Sequence, residues 1–345
     1  MEELVIWGAG AIGGTIGAYL ARAGRDPLLV DSDAAHIAAM ARNGIRITGP
    51  IEEFVTPVRA VTPDRVKGPL ARVMLAVKGQ HTAAAGRMIA PLLGAQASVL
   101  SLQNGLNAQA LGQEIGAERV LLALVNFASD YIEPGVIHYG GRGAVHVGEA
   151  DGRMTPRVAD YVTRLKSFDP AIEPSDNVAG LLWGKIGYAG LLIGTALTND
   201  TMAEVLSDRR WHDVLGRIGR EIVLAAKAAG VMPVGVDGFD TDAFARGDDA
   251  GIAASCDLMA EHYRHSAKAR SGVWRDLAVR KRKTEVDAQL GPIVATAARH
   301  GREAPLCARL IALIHDIEEG RRPLAWATLD ALAAIEARPR PAAAR

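Results

Sequence analysis

A glycine-rich turn near the start of the chain constrains the fold more than any other feature. The apolar run Leu4-Val5-Ile6-Trp7 is long enough for one buried strand, and Gly8-Ala9-Gly10-Ala11-Ile12-Gly13 follows it directly. A helical pattern then carries apolar residues at regular spacing from Thr15 to Arg22. This order of strand, glycine turn and helix is typical of a dinucleotide-binding βαβ unit.

The glycines have distinct roles in such a turn. Gly8 permits the tight turn, Gly10 lets a pyrophosphate approach the backbone, and Gly13 lets helix and strand pack closely. The N–H groups of the first helical turn point at the phosphates. We therefore predict that these glycines, with Ala11 and Ile12, bind the cofactor. The alternative is an ordinary βαβ unit with a glycine-rich turn.

Asp31 is predicted to contact the cofactor ribose. It ends a second apolar strand, Leu28-Leu29-Val30. A carboxylate at this place accepts hydrogen bonds from a ribose 2′-OH and repels a 2′-phosphate. No arginine follows in Asp31-Ser32-Asp33, so the sequence favours NAD(H) over NADP(H). The alternative is a solvated aspartate.

Strands and helices alternate through the rest of the first half. The predicted strands include Val73–Val77, Ser98–Leu102 and Val120–Asn126. This alternation predicts a mostly parallel, doubly wound sheet that binds ligands at the carboxyl ends of its strands. Lys78 and Asn104 follow two of these strands, so we expect both to face the same crevice as Asp31.

Two further strand pairs are predicted in this half. Ile45–Ile47 would pair with Phe54–Val61, and Val136–Tyr139 would form a hairpin with Ala144–Val147 at the sheet edge. From Asn177 onward the pattern is nearly all helical. The predicted fold class is thus α/β: an N-terminal doubly wound Rossmann domain followed by an all-helical C-terminal domain. The domains are placed at residues 1–175 and 176–338, with a tail at 339–345.

Composition limits the partners and the compartment. The formal net charge is +0, which gives no general attraction to nucleic acid or to an anionic membrane. The chain has two cysteines and no metal-ligand cluster in its sequence, so we expect no metal and a cytoplasmic location. Glu2 and Glu3 precede the first strand, so we expect no signal peptide. The apolar stretch 179–198 contains Lys185 and five glycines, which favours a buried helix over a membrane span.

Lys185 and Glu285 are the candidate catalytic residues of the second half. A lysine buried in an apolar helix is either paired or functional. A Lys–Glu pair across two helices could orient a proton donor. The alternatives are a lysine whose charged end reaches the surface, and a Glu285 that is an ordinary carboxylate in a first helical turn beside Thr284.

Five segments together resemble the ketopantoate reductase family, also called 2-dehydropantoate 2-reductases, over nearly the whole chain. They are Gly8–Gly13, Val77-Lys78, Gln103-Asn104-Gly105-Leu106, Trp183-Gly184-Lys185 and Thr284-Glu285-Val286-Asp287. The resemblance implies reduction of a small 2-oxo acid to its 2-hydroxy acid, with Lys185 as general acid and Glu285 supporting that lysine and the substrate. It places Asn104 between nicotinamide and substrate and Lys78 at the cofactor. It implies NADP(H) as the usual cofactor, which differs from the preference predicted from Asp31. A homodimer formed through the helical domain is left open.

The pocket departs from the family pattern. Family members that reduce ketopantoate carry asparagines after the catalytic lysine, whereas residues 186–193 have none and Asn199 is the first one reached. Tyr188, Asn199 and Ser271, which aligns with a family serine, are the candidate substrate contacts. We therefore expect a less polar or differently shaped substrate. The alternatives are a related dehydrogenase acting on another hydroxy acid or on an imine, and a cofactor-binding regulator without turnover.

Overall fold

A computed structural model describes residues 3–266 and 268–335, and the predicted tail at 339–345 lies outside them. The chain divides into two compact units, Met1–Leu182 and Trp183–Arg345. The division falls inside a helix that begins at Val178.

The first unit contains twelve strands among its described residues. They are β1 (Leu4–Trp7), β2 (Leu28–Val30), β3 (Ile45–Thr48), β4 (Phe54–Thr56), β5 (Arg59–Val61), β6 (Leu70–Leu75), β7 (Leu93–Ser101), β8 (Val120–Val125), β9 (Ala128–Glu133), β10 (Val136–Gly141), β11 (Val145–Gly148) and β12 (Glu173–Pro174). Eight of them form one sheet in the order β12-β11-β8-β7-β6-β1-β2-β5, and the other four form a second sheet in the order β4-β3-β10-β9.

The larger sheet has Rossmann topology. Its six parallel strands, taken in chain order, are arranged 3-2-1-4-5-6, and the order reverses between β1 and β6. Ligands of such sheets bind beyond the carboxyl ends of the strands at this reversal. The predicted fold class is confirmed, and the glycine turn that follows β1 lies at the reversal.

The strand β1 shows why this sheet is buried on both faces. Leu4 and Ile6 belong to one hydrophobic core, whereas Val5 and Trp7 belong to the other. Side chains alternate between the two faces of a strand, so a continuous apolar run fills both cores. The helices of this unit are α1 (Ala11–Arg22), α2 (Ala34–Asn43), α3 (Thr82–Ile89), α4 (Ala108–Ile115) and α5 (Pro156–Leu165).

The predicted hairpin of residues 136–147 is wrong. β10 pairs with β9 and β3 in the smaller sheet, whereas β11 runs antiparallel to β8 in the larger one. Gly143 carries the chain between the sheets, and a Cβ there would overlap the carbonyl oxygen of Asn126. The true hairpin partner, β9, is mostly exposed and lacks an apolar alternation, so the sequence pattern did not reveal it.

The predicted single strand Phe54–Val61 is also wrong, because it is two strands in different sheets. β4 pairs with β3 in the smaller sheet, and β5 pairs with β2 in the larger one. Pro57 lies between them and has no N–H to donate to a ladder. The chain leaves one sheet at this proline and enters the other.

The second unit is helical among its described residues. Its helices are α6 (Val178–Thr195, which starts in the first unit), α7 (Met202–Ser207), α8 (His212–Ala228), α9 (Thr241–Arg246), α10 (Asp249–Arg264), α11 (Gly272–Trp274), α12 (Val286–Arg299), α13 (Pro305–Glu318) and α14 (Trp326–Ala333), and a π-helical segment spans Arg275–Arg280. Of the described helices only α6 is long and apolar enough to cross a membrane, but 72% of it is buried inside the structure, as is typical of a core helix.

Candidate functional site

The glycine turn forms a cradle at the end of β1. Gly8 has a φ of 100°, and a Cβ there would lie 2.7 Å from the backbone nitrogen of Val77. A Cβ on Gly13 would overlap the carbonyl oxygen of Gly8, so α1 can approach β1 only with glycine at this position. A Cβ on Gly10, by contrast, would meet no atom within 4 Å. Open space beside the backbone of Gly10 is what a pyrophosphate requires.

The helix that follows the cradle suits an anion. α1 begins at Ala11 with Gly10 as its N-cap, and its first turn, Ala11-Ile12-Gly13-Gly14, contains no ionisable side chain. Glycine offers no side-chain oxygen to cap the first N–H groups. Those groups and the positive end of the helix dipole therefore face outward, toward the space beside Gly10.

Asp31 is held firmly beside this cradle. Its Oδ2 accepts the N–H of Ala9 at 2.9 Å, and its Oδ1 accepts the N–H of Asp33 at 3.0 Å. The side chain is half-buried at the carboxyl end of β2. Each carboxylate oxygen has further lone pairs, so Asp31 can still accept hydrogen bonds from ribose hydroxyl groups. The residues present therefore fit a dinucleotide cofactor.

Lys78 and Asn104 follow two parallel strands on one side of β1, of which the first is adjacent to β1 and the second is adjacent to the first. Lys78 comes after β6 and Asn104 comes after β7, and both side chains are exposed. The structure thus brings both to the edge of the sheet that carries the glycine cradle and Asp31.

A buried amide that the sequence analysis did not single out ties these two loops together. Gln103 donates from Nε2 to the carbonyl oxygen of Val77 at 2.9 Å and to the Thr82 hydroxyl at 2.8 Å. Asn107 donates to the backbone carbonyl of Asn104 at 2.7 Å. These bonds fix the loops that carry Lys78 and Asn104. Their only signal in the sequence is that Gln103 is a polar residue directly after a buried strand.

In the second unit, a loop packs tightly against the helix that carries Lys185. A Cβ on Gly184 would overlap the carbonyl oxygen of Val234, and a Cβ on Gly187 would lie 2.5 Å from the Phe239 ring. Two glycines one helical turn apart, Gly184 and Gly187, thus allow residues 234–239 to pack against α6 beside Lys185. Asp237, in the same loop, has a φ of 47°, which aspartate tolerates better than most residues.

The electrostatics of Lys185 suit a proton donor. Burial lowers the pKa of the ammonium group from 10.5 to about 8, the Asp237 carboxylate opposes this effect, and Lys268 adds to it. A general acid works best when its pKa is close to the working pH. Asp237 was not predicted, because nothing local to it in the sequence marks its place beside α6.

Tyr188 lies one turn after Lys185 and is bonded to a second tyrosine. Its hydroxyl donates to the hydroxyl of Tyr263 on α10 at 2.5 Å. Burial is the main cause that raises the pKa of both phenols, and Asp237 raises both further. Both groups therefore stay protonated at neutral pH. Because the Tyr188 hydroxyl donates to the Tyr263 hydroxyl, the hydroxyl proton of Tyr263 points away from Tyr188. Tyr263 was missed by the sequence analysis.

Glu285 is the N-cap residue of α12 and is half-buried. The neighbouring Thr284 hydroxyl accepts the N–H of Val286 at 3.3 Å, and the backbone N–H of Thr284 donates to Glu318 at 2.7 Å. These bonds fix the start of α12 and hence the backbone of Glu285. Lys185 and Glu285 belong to the same unit.

Asn199 and Ser271, two candidate substrate residues, meet around Trp274. The Asn199 side chain accepts the indole N–H of Trp274 at 3.3 Å and donates to the carbonyl of Leu324 at 3.1 Å, and the Ser271 hydroxyl accepts the backbone N–H of Trp274 at 3.2 Å. These contacts give both side chains a structural role. Their contact with substrate remains a prediction.

A Rossmann sheet with a glycine cradle, together with a half-buried lysine of lowered pKa, is typical of an NAD(P)-dependent oxidoreductase. Two family models match the chain: ketopantoate reductase PanE/ApbA at residues 4–152, and its C-terminal region at residues 177–318. The chain belongs to the ketopantoate reductase family, and the resemblance drawn from the sequence motifs is confirmed.

Relatives and solved structures agree with this assignment. The 2-dehydropantoate 2-reductase of Mesorhizobium japonicum is 31% identical over 68% of this chain and 79% of its own length, and that of Pyrococcus abyssi is 28% identical over 93% and 100%. A PanE/ApbA family ketopantoate reductase from Ralstonia eutropha superposes with a TM-score of 0.77 at 28% identity, covering 92% of this chain and 99% of the other.

A more distant structure shares the fold. D-mandelate dehydrogenase bound to NADH and anilino(oxo)acetate has a TM-score of 0.76 at 20% identity, covering 92% of this chain and 99% of the other. The family and its relatives do not favour the two alternatives, a related dehydrogenase acting on another hydroxy acid or on an imine and a cofactor-binding regulator without turnover.

Proposed function

We propose that this chain reduces the carbonyl group of a small 2-oxo acid, in the manner of 2-dehydropantoate 2-reductases, with Lys185 as the general acid and NADH as the preferred cofactor. The observation that carries the proposal is the half-buried Lys185, whose pKa is lowered to about 8, in a chain that belongs to this family. The names of the relatives support the substrate class. We also propose a cytoplasmic location, which the two unpaired cysteines, Cys256 and Cys307, support.

The residues have separate roles in this reaction. The three cradle glycines, with Ala11, Ile12, Asp31 and Lys78, would hold the dinucleotide, whose reduced nicotinamide supplies a hydride to the carbonyl carbon. Lys185 donates a proton to the carbonyl oxygen as negative charge develops on it. Glu285 orients Lys185, and Asn104 holds the substrate. The lowered pKa of Lys185 makes this proton easier to give up than that of an ordinary lysine.

The preference for NADH rests on charge. A 2′-phosphate carries close to two negative charges, and Asp31 would repel it at short range. Asp33 adds a second carboxylate nearby, and its pKa is lowered chiefly by the N–H of His36, so it is ionised at neutral pH. NADP(H) is the alternative, and the family resemblance favours it.

The residues that follow Lys185 on α6 support a substrate with a less polar substituent than ketopantoate. Ala189 and Ile193 follow Lys185 on α6 at one-turn intervals, and neither side chain can hydrogen-bond a substrate hydroxyl. Burying that hydroxyl without a partner would weaken binding. Tyr188, one turn after Lys185 on α6, and its partner Tyr263 are polar groups that could still hydrogen-bond a substrate.

A panel of 2-oxo acids, each assayed with NADH and with NADPH, tests the proposal. We expect kcat/KM to be higher with NADH, and higher for an acid with an apolar substituent than for ketopantoate. Asp31→Arg should shift the ratio of the two cofactors toward NADPH. A kcat/KM for NADPH equal to or above that for NADH would refute the cofactor preference, and no turnover of any 2-oxo acid would refute the substrate class.

A further inference from the structure

A buried histidine on α2 links the glycine cradle to the smaller sheet. His36 is 1% exposed. Its Nε2 lies 2.9 Å from the carbonyl oxygen of Ala9, inside the cradle, and its Nδ1 lies 2.9 Å from the backbone nitrogen of Gly135. Gly135 lies in the turn between β9 and β10. Two segments that are far apart in sequence therefore meet at one imidazole ring.

These two bonds determine the protonation state of His36. A backbone N–H can only donate, so Nδ1 must accept the Gly135 N–H and cannot carry a proton. A carbonyl oxygen can only accept, so Nε2 must carry the proton and donate it to Ala9. His36 is therefore neutral, in the Nε2–H form.

The donated bond completes the support of the cradle. The peptide N–H of Ala9 is already held by Oδ2 of Asp31 at 2.9 Å, and Ala9 itself is fully buried. Because His36 donates to the carbonyl oxygen of Ala9, the peptide groups before and after Ala9 are both held by a side chain. The second of these peptides leads directly into Gly10, where open space adjoins the backbone.

The smaller sheet holds the imidazole in place. The Tyr131 ring on β9 meets the His36 ring edge-to-face, with centroids 5.0 Å apart, and the Tyr131 hydroxyl donates to Asp33 at 3.2 Å. Gly135 has a φ of 81°, and a Cβ there would lie 3.1 Å from Ala39 on α2. The β9–β10 turn can thus come close enough to α2 to donate to Nδ1.

We propose that His36 is a positioning residue for the dinucleotide, because its Nε2–H bond to Ala9 holds the glycine cradle in the conformation that binds the pyrophosphate. The role rests on the cradle being the pyrophosphate site. It does not depend on which nicotinamide cofactor is preferred, on the substrate or on Lys185. The competing interpretation is that His36 only stabilises the packing of α2 and the β9–β10 turn.

Two substitutions separate these interpretations. In His36→Gln the side-chain amide can take the place of Nε2 and donate to Ala9, whereas in His36→Asn the side-chain oxygen can take the place of Nδ1 and accept from Gly135. Dissociation constants for NADH and NADPH, measured by calorimetric titration without substrate, report on the cradle alone. Urea unfolding of the same samples reports on stability.

We expect His36→Asn to weaken binding of both dinucleotides about ten-fold, the effect of losing one hydrogen bond to a buried carbonyl. KM for the cofactor should rise in step, with kcat at saturation close to the wild-type value, and His36→Gln should bind within about three-fold of wild type. His212 is a matched control, because it is buried in the second unit with its Nε2 2.8 Å from the carbonyl of Leu206. His212→Asn should lower stability and leave dinucleotide affinity unchanged.

The role of His36 is overturned if His36→Asn binds dinucleotide like wild type, or if Gln and Asn weaken binding equally. Should the variants not fold, ¹⁵N NMR of the wild-type imidazole decides the matter: the Nε2–H form at neutral pH supports the bond to Ala9, and an Nδ1–H or charged ring overturns it. Wild-type protein that binds neither dinucleotide would overturn the cofactor assignment itself. That outcome differs from the one in which the wild-type protein binds dinucleotide and His36→Asn binds it equally well, which would overturn only the role of His36.

Discussion

Replacing Lys185 by methionine should stabilise the protein at neutral pH while removing its activity. The pKa of Lys185 is lowered from 10.5 to about 8, chiefly by burial. One pKa unit corresponds to about 1.4 kcal/mol, so keeping this lysine charged in the folded state costs about 3 kcal/mol of folding free energy. Methionine is of similar length and has no charge to desolvate. The gain expected for Lys185→Met at pH 7 is therefore at most about 3 kcal/mol, and turnover should fall about 10²- to 10⁴-fold.

The pH dependence of this gain separates charge burial from better packing. Below pH 8 the wild-type lysine is protonated in both the folded and the unfolded state, and the full cost is present. Between pH 8 and 10.5 the unfolded state binds more protons than the folded state, so wild-type stability rises with pH by at most about 1.4 kcal/mol per unit. The advantage of Lys185→Met should shrink over this range. A packing gain would persist at every pH.

Urea unfolding at pH 7 and pH 10, followed by tryptophan fluorescence, measures the difference. Four of the five tryptophans, Trp183, Trp211, Trp274 and Trp326, belong to the second unit, so the signal reports mainly on the unit that contains Lys185. Lys166→Met, at an exposed lysine of the first unit, is the control and should leave the pH dependence of stability unchanged. A stability difference that is equal at both pH values would refute the burial argument. Near-normal turnover in the folded variant would remove Lys185 from the mechanism.

Two further substitutions test the surroundings of the site. Asp237→Asn removes the carboxylate that raises the pKa of Lys185, so the high-pH limb of the kcat profile should move to lower pH. Asparagine tolerates the left-handed backbone conformation of this position. A limb that does not move would exclude Asp237 as the countercharge of Lys185. Gln103→Leu leaves the carbonyl of Val77 and the hydroxyl of Thr82 without their buried partner, so we expect a loss of about 1–3 kcal/mol in unfolding free energy and a higher KM for the cofactor. Unchanged values of both would show that the amide does not support the loops.

The sequence predicted those parts of the fold that rest on local chemistry. The apolar run of β1, the glycines after it and the polar residues at strand ends are legible because each depends on its immediate neighbours. Lys185 was identifiable because it is the one charged residue of an apolar helix. The strand β9 was missed, since it is stabilised by pairing with β10 and its side chains are mostly exposed.

The rest of the candidate site depends on contacts between residues far apart in the chain. Asp237 lies near Lys185 because Gly184 admits the carbonyl of Val234 against α6, fifty residues further along the chain. The glycine is visible in the sequence, but its partner is not. His36 likewise reads as an ordinary helix residue until Ala9 and Gly135 are found on either side of its ring.

Asp31 shows that cofactor preference and cradle geometry are not independent in this protein. Its carboxylate carries the charge that would repel a 2′-phosphate, and it also accepts the N–H of Ala9. Asp31→Arg removes both functions at once, so a lower affinity for NADH in that variant follows equally from a relaxed cradle and from a lost ribose contact. A gain in affinity for NADPH cannot come from a relaxed cradle, because a relaxed cradle weakens the binding of both cofactors. The gain, and not the loss, is therefore the measurement that tests whether the charge at position 31 sets the cofactor preference.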